Sequence, residues 1–368
     1  MKSLIWHWGR RGAGPIFAAR LYEAIAALPG QEAVLSLPVA AEMLEGPGAP
    51  PCVWTEPTYG SPLGYLWQRL LTPAIGGRTR RHLRDLRPDI AICAMPALLD
   101  ARMLAGLEAL DIPYAVIVHD ATAHPGDGFS FYATDQRQAL RGARHLFCLS
   151  SHVEAGLRRQ GYGAGGQGLT KLWHPPIGFA APLAPARASA RPHLLHFGRL
   201  LPYKGLDLLA DAMALLGPRE FDLRICGEGP NSSALMRLAA MPGVKVENRW
   251  FSDAELPGLL AWAGGLVLPY REASQSGVAA LAIAAGRQVL ATNVGGLPEQ
   301  LGHLPGALLC APEAGAIAAG LQTLLTRLRA APVLAEAPVS GPALSGGWED
   351  FAAAILEALR AEGVSKSF

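Results

Sequence analysis

The sequence predicts an α/β fold of two Rossmann-like lobes, and three observations carry that expectation. Short apolar runs of strand length alternate with longer stretches of helical period, a rhythm that calls for parallel strands joined by helical crossovers. The Pro- and Ala-rich segment APLAPARASARP, residues 181–192, has no period and divides the rhythm into two runs. The chain, at 368 residues, is longer than one ordinary core organises and long enough for two. The expected organisation is an N-terminal lobe over 1–180, a linker over 181–192, a second lobe over 193–346 and a closing helix over 347–368.

In the first lobe SLIWHW leads into FAARLYEAIAAL, PDIAICAM into ALLDARMLAGLEAL, PYAVIVHD follows, and HLFCLS leads into SHVEAGLRRQ. The second lobe begins the pattern again with HLLHFGR, FDLRICGEG, VKVENRWF, GGLVLPY and RQVLAT, each followed by a helical stretch. The closing helix WEDFAAAILEALRAEG is amphipathic and follows a second proline-rich passage, and the sequence does not decide which lobe receives it.

Composition narrows the function classes. Half the residues are hydrophobic and 17% are charged, which excludes a disordered chain. With 32 Lys+Arg against 30 Asp+Glu the net charge is +2, so no global electrostatic footprint for nucleic acid exists. Cys52, Cys93, Cys148, Cys226 and Cys310 are odd in number and contain no Cys-x-x-Cys pair, which removes disulfide frameworks and zinc sites. The opening MKSLIWHWGRRGAG is broken by His7 and two arginines, and the longest apolar run, LLAWAGGLVLP, is too short to cross a bilayer. A cytoplasmic protein is the expectation.

The second lobe opens with His196-Phe197-Gly198-Arg199-Leu200-Leu201-Pro202-Tyr203-Lys204-Gly205, a strand end entering a glycine-flanked loop that carries an Arg and a Lys five residues apart. Two cations at the carboxyl end of a parallel strand suit a diphosphate, and a pair of solvated surface charges is the alternative. Another strand ends in Tyr270-Arg271-Glu272-Ala273-Ser274-Gln275-Ser276-Gly277-Val278 before the helix VAALAIAAG. Main-chain N–H groups there can face an anion, with Gly277 allowing close approach; a plain N-cap by Ser274 or Ser276 needs no ligand. Glu272 can accept sugar hydroxyls or simply face water.

The segments FGRLLPYKGLDLL, LRICGEGP, LPYREASQSGV and ATNVGGLPEQL, in this order, resemble the C-terminal half of glycosyltransferase family 4. The resemblance is specific from about His196 to Leu301 and weaker before it. It implies the GT-B fold, two lobes facing across a cleft, and retaining transfer from a nucleotide-sugar donor, a UDP- or GDP-sugar, with no other cofactor. By that resemblance Arg199 and Lys204 match the diphosphate-binding pair, Gly198 belongs to the same loop, and Glu272 is the first motif glutamate. Gly277 and Val278, with Ser274, Gln275 and Ser276, form the phosphate-contacting loop, Gly227 and Gly229 match the turn near the nucleoside, and Arg249 or Trp250 lies near the base. The second glutamate of the family motif is replaced by Ala280 and Leu281, so ribose recognition must differ; the SQSGV loop resembles polysaccharide-assembly members that also lack it.

In the first lobe the strand from Tyr114 runs into His119-Asp120-Ala121-Thr122-Ala123-His124-Pro125-Gly126-Asp127. A histidine at a strand end is commonly structural; His119 resembles the family histidine that reaches the donor sugar, with Asp120 beside it. His124 and Asp127 read as a gating loop or as a turn. The cluster Gly9-Arg10-Arg11-Gly12-Ala13-Gly14-Pro15 lacks Gly-x-Gly-x-x-Gly spacing, which argues against NAD, and Gly12 and Gly14 read as a close-approach loop for substrate or as a tight turn.

No Asp-x-Asp pair occurs in the chain, so the usual carboxylate bracket for a catalytic divalent metal is missing and the cation pair is expected to take its place. Between residues 61 and 88 Tyr65, Trp67 and several leucines stand among Arg69, Arg78, Arg80, Arg81, Arg84 and Arg87, with Asp85 the one carboxylate. That mixture suits an anionic membrane surface and a lipid-linked saccharide acceptor, and equally a solvated helix over an ordinary core stripe. The functional expectation is a hexosyl-type glycosyltransferase of polysaccharide or glycan assembly. A nucleotide-sugar-binding protein without turnover is the rival.

Overall fold

The computed structural model describes residues 1–45, 48–59, 61–70, 72–122, 130–177, 183, 189–217, 220–330 and 347–363, and the side chains of 62, 69, 70, 72–75 and 130–135 fall outside that description. Most of the expected linker, and both His124 and Asp127, also lie outside the described residues. The chain divides into two compact units: one takes in Met1–Thr122, the segment ending at Pro175 and the closing helix, the other the chain from Pro176 to the stretch before that helix.

The first unit is built on β1 (Lys2–Trp6), α1 (Ala13–Ala27), β2 (Glu32–Pro38), β3 (Trp54–Glu56), α2 (Pro62–Leu70), α3 (Thr72–Leu86) and β4 (Ile90–Cys93). It continues with α4 (Ala101–Glu108), β5 (Tyr114–Val118), α5 (Ser130–Gly142), β6 (His145–Cys148), α6 (Ser151–Arg159) and β7 (Gly168–Lys171). Its seven strands are parallel in the order β3-β2-β1-β4-β5-β6-β7. Helices cover both faces, so the inner strands read as unbroken apolar runs, with Leu4, Ile5 and Trp6 all fully buried.

The second unit contains β8 (His193–Phe197), α7 (Leu206–Leu215), β9 (Asp222–Gly227), α8 (Ser233–Ala239), β10 (Val244–Asn248), α9 (Leu256–Trp262) and β11 (Gly265–Leu268). It ends with α10 (Gly277–Ala284), β12 (Gln288–Thr292), α11 (Leu297–Leu301), β13 (Ala307–Cys310) and α12 (Ala314–Ala330). Its six parallel strands run β10-β9-β8-β11-β12-β13. In each sheet the strand order reverses beside the first strand, between β1 and β4 and between β8 and β11. In doubly wound sheets ligands bind beyond the strand carboxyl ends at such a point.

The closing helix α13 (Trp348–Ala361) packs in the first unit against α1. Phe351, Ile355, Leu356 and Leu359 are buried in the same core as Phe17, Leu21 and Ile25. Trp348 and Phe351 meet the Phe17 ring edge-on at 4.9 and 5.8 Å. The helix expected from Ala97 begins later, at Ala101. The Asp100 carboxylate accepts from the Ala97 N–H at 2.8 Å and from Trp6 Nε1 at 3.3 Å, and Leu99 takes a φ of 75°, which breaks the helical path.

No helix among the described residues is long and apolar enough to cross a membrane. Truncating Phe351 to alanine should lower the stability of the first unit by about 3–5 kcal/mol, read as a fall in the urea midpoint at unchanged slope.

Candidate functional site

In the second unit, main-chain contacts fasten together the loops at the carboxyl ends of four neighbouring strands. Gly198, at φ 120°, donates its N–H to the Cys226 carbonyl at 3.1 Å, and Leu200 N–H bonds the Glu228 carbonyl at 2.9 Å. The Gly227 carbonyl accepts from Arg249 N–H at 2.9 Å, and a Cβ on Gly227 would strike the Gly198 carbonyl. Gly229 is held on both sides by Asn248, whose amide accepts from Gly229 N–H and donates to its carbonyl, each at 3.0 Å.

The turn after β8 carries both cations. Residues Pro202–Lys204 form a single 3₁₀ turn closed by Gly205 in the left-handed region, φ 67°. There a Cβ would run into the Pro269 carbonyl, so the β8 loop lies directly on the β11 loop. Arg271 N–H donates to the Tyr203 carbonyl at 2.8 Å across the same seam. The Arg271 side chain pairs with Asp207 in the first turn of α7.

Two tyrosines hold the cations. Arg199 is exposed, donates from Nη2 to the Tyr203 hydroxyl at 2.8 Å, and its Cζ stands 5.7 Å from that ring centroid. Lys204 is buried, with Nζ 3.7 Å from the Tyr270 ring centroid and 4.9 Å from that of Tyr203. Such contacts contribute about 0.5–2 kcal/mol, more as the site dries. Below them His196 donates from Nδ1 to the Val267 carbonyl at 3.0 Å, and burial pushes its pKa down to about 4, so it is neutral at pH 7.

The helix start is organised as the sequence suggests. The Ser276 hydroxyl caps α10 by accepting from Ala279 N–H at 3.2 Å, while Ser274 is buried and Gln275 half-buried. Gln300, which the sequence does not single out, clamps the loop: its amide accepts from Ser276 N–H and donates to the Ser276 carbonyl, each at 3.0 Å. Gly277 begins the helix, and Val278 approaches the Gly198 position to 3.4 Å from where a Cβ would stand. The β8 loop and the α10 start are thus side by side. Glu272 is exposed on the same loop. Arg249 stacks on Phe251 at 3.8 Å and pairs with Glu255 at 2.7 Å, with half-buried Trp250 between them in sequence. The hydrogen bonds from Arg249, then the Ser252 backbone, hold the Glu255 carboxyl down to about 2.

In the first unit the strand ends around β1 and β4 gather three histidines. The Ala94 and Met95 carbonyls just past β4 accept from His119 Nε2 at 3.0 Å and from His7 Nδ1 at 2.8 Å, which fixes both tautomers. His119 lies 6.1 Å from His174 ring to ring, and Phe17 meets both edge-on. Burial, then the neighbouring His174, pushes His119 down to about 3; burial takes His7 and His174 to about 4. Gly9 and Gly14 lack side chains where the His7 ring stands, so the glycine spacing of the first loop has a packing cause. Gly12, at φ 81°, precedes α1, and Asp120 accepts from Gln136 through its main-chain carbonyl at 2.8 Å. Among the described residues, no group of three or more His, Cys, Asp or Glu is arranged to hold a metal ion.

Comparison with known proteins gives matches over both units. Residues 12–167 match the glycosyl transferase 4-like domain and residues 191–327 the glycosyl transferases group 1 model. The GDP-mannose:glycolipid 4-beta-D-mannosyltransferase of Xanthomonas campestris pv. campestris is 32% identical over 154 residues, 38% of this chain and 41% of that protein. The chain therefore spans under half the length of that curated relative. Sucrose-phosphate synthase from Thermosynechococcus elongatus superposes with a TM-score of 0.69 at 19% identity, over 100% of both chains. Anabaena HepE, solved in complex with UDP-glucose, superposes with a TM-score of 0.65 at 17% identity, over 99% of this chain and 98% of its own. At these identities the superpositions establish the fold alone.

The buried histidines set a pH dependence. At pH above the ordinary histidine value of about 6.5 both folded and unfolded chains are neutral there; below it the unfolded chain takes up protons that the folded chain refuses until about pH 4 or lower. Stability should be full above pH 6.5 and fall as the pH drops toward 4, by the order of 1–2 kcal/mol per histidine at pH 5. Urea titrations at neutral and acid pH measure this, and His174→Asn should flatten the dependence.

Proposed function

Because the chain belongs to the GT-B-type glycosyltransferases, we propose that it transfers a hexosyl-type sugar from a UDP- or GDP-sugar to a saccharide or lipid-linked saccharide acceptor, with retention of configuration. The observation that carries this reading is the pairing of Arg199 and Lys204 on one turn at the β8/β11 switch point, with the start of α10 alongside. A leaving nucleoside diphosphate gathers negative charge on its β-phosphate. Fixed cations and helix-start N–H groups lower the barrier where that charge develops.

In the proposed step the acceptor hydroxyl attacks the anomeric carbon on the face the diphosphate is leaving. The bond from that carbon to the β-phosphate oxygen breaks, the bond to the acceptor oxygen forms, and the acceptor proton passes to the departing phosphate. The two cations take the part a divalent metal would play. Gly198, Glu272, Ser274, Gln275, Ser276, Gly277 and Val278 are assigned to the donor sugar and phosphates, Gly227, Gly229, Arg249 and Trp250 to the nucleoside side, and His119 to the donor sugar. Asp120, Gly12 and Gly14 are assigned to the substrates of the first unit. The printed name of one relative, acting with GDP-mannose, supports a GDP-sugar, while a structural neighbour of the same fold was solved with UDP-glucose.

For the acceptor side, contact with an anionic membrane surface through residues 61–88 belongs to the same proposal. Gln68 on α2 is tied to buried Arg102 through its side-chain oxygen at 2.8 Å, and Leu63, Leu66 and Trp67 are exposed. Arg78, Arg80, Arg81 and Arg84 of α3, and Arg87 after it, are exposed as well. Apolar side chains beside a basic helix suit a headgroup layer, and the protein is then expected peripherally on the cytoplasmic face.

Melting the full chain with a panel of UDP- and GDP-sugars should raise the melting temperature with one base and not the other. With the active donor, Arg199→Ala and Lys204→Ala should each lower kcat/KM at least about tenfold, the loss of one charge-assisted hydrogen bond. Donor binding with neither transfer nor hydrolysis would point to the non-catalytic rival, and no binding of either diphosphate at millimolar concentration ends the reading.

A further inference from the structure

The cations of the second unit are met by rings. Tyr203 touches both: its hydroxyl accepts from Arg199 at 2.8 Å and its ring lies 4.9 Å from Lys204 Nζ. Tyr270 seats the same ammonium at 3.7 Å. Neither ring is free to shift. Tyr203 is 5% exposed with its carbonyl bonded by Arg271 N–H at 2.8 Å, and Tyr270 is 0% exposed with its carbonyl accepting from the Thr292 hydroxyl at 2.6 Å. They stand on different loops, the β8 turn and the end of β11, which Gly205 brings into contact.

We propose that Tyr203 and Tyr270 are positioning residues for the diphosphate site, Tyr203 spanning the two cations and Tyr270 seating Lys204. This rests on the reading of Arg199 and Lys204 as that site. An aromatic face attracts a cation through its quadrupole and carries no net charge. The ring therefore fixes the ammonium without neutralising it, as a carboxylate would. A lysine stem loses much rotamer freedom when ordered. With the ring contact made before a ligand arrives, that ordering is not charged to donor binding, and the cation stands where phosphate charge will develop. The Tyr203 hydroxyl does the same for the Arg199 guanidinium.

The role predicts a loss confined to the second phosphate. In full-length protein the affinities for UDP, UMP, GDP and GMP are measured by calorimetry, with melting temperatures for every variant. Tyr203→Leu and Tyr270→Leu should lower the preference for the responding diphosphate over its monophosphate by about tenfold, leaving the monophosphate affinity unchanged. Tyr270→Phe, which keeps the ring, should restore the preference. Tyr203→Phe should lose about threefold, since it keeps the ring under Lys204 and gives up the hydrogen bond to Arg199. Arg199→Ala and Lys204→Ala serve as references. If they lose the preference while the leucine variants keep it, the positioning role is overturned and the diphosphate site stands. If the alanine variants keep it too, the diphosphate site itself is wrong. Should a leucine variant fail to fold, Tyr203→Phe decides: an undiminished diphosphate preference overturns the role of Tyr203.

Discussion

The contact between the Gly205 turn and the Pro269 carbonyl governs everything proposed for the second unit. A residue with a Cβ cannot occupy that point, so the β8 turn lies flat on the β11 loop and the Tyr203 carbonyl comes within reach of Arg271 N–H. From this single approach follow the neighbourhood of Lys204 and Tyr270, the pairing of Arg271 with Asp207, and the placing of Arg199 beside Tyr203. A main-chain constraint of this kind is rigid, which is what a site that must meet developing charge requires.

Around that seam the remaining loops are arranged by hydrogen bonds of residues with no charge to contribute. Gln300 grips both the N–H and the carbonyl of Ser276, and Asn248 does likewise at Gly229. The charged groups nearby are paired with each other, as Arg249 is with Glu255 and Arg271 with Asp207. Amides thus shape the loops, and the two cations are held by rings.

Much of this was legible in the sequence where chemistry and period coincide. Parallel strands buried on both faces show as apolar runs, and the Gly198 to Gly205 turn shows its two cations and two glycines in eight residues. Edge strands escape such reading. β3, β7 and β13 are short and partly exposed, so they lack the buried run, and β2 merges with the apolar residues of the turn that follows it. Gln300 and Asn248 escape as well, because an amide acting on main chain 24 or 19 residues away leaves no local spacing. The glycines of the first loop carry two readings in the sequence, a substrate loop or a tight turn, and the His7 ring gives two of them, Gly9 and Gly14, a packing cause that no local spacing shows.

The provenance of α13 has a consequence for biogenesis. Its Phe351 completes a core otherwise made of residues from the beginning of the chain, such as Phe17, Leu21 and Ile25. A ribosome delivers the N-terminal sheet long before the helix that covers α1, while nearly all of the second unit arises from the stretch that begins at Pro176. During synthesis the earlier unit must wait with an uncovered apolar flank, and the later one is positioned to finish folding ahead of it. Elongation pauses before α13 is delivered, or chaperone capture of nascent α1, therefore bear on yield in a way that no contact of the finished molecule reveals.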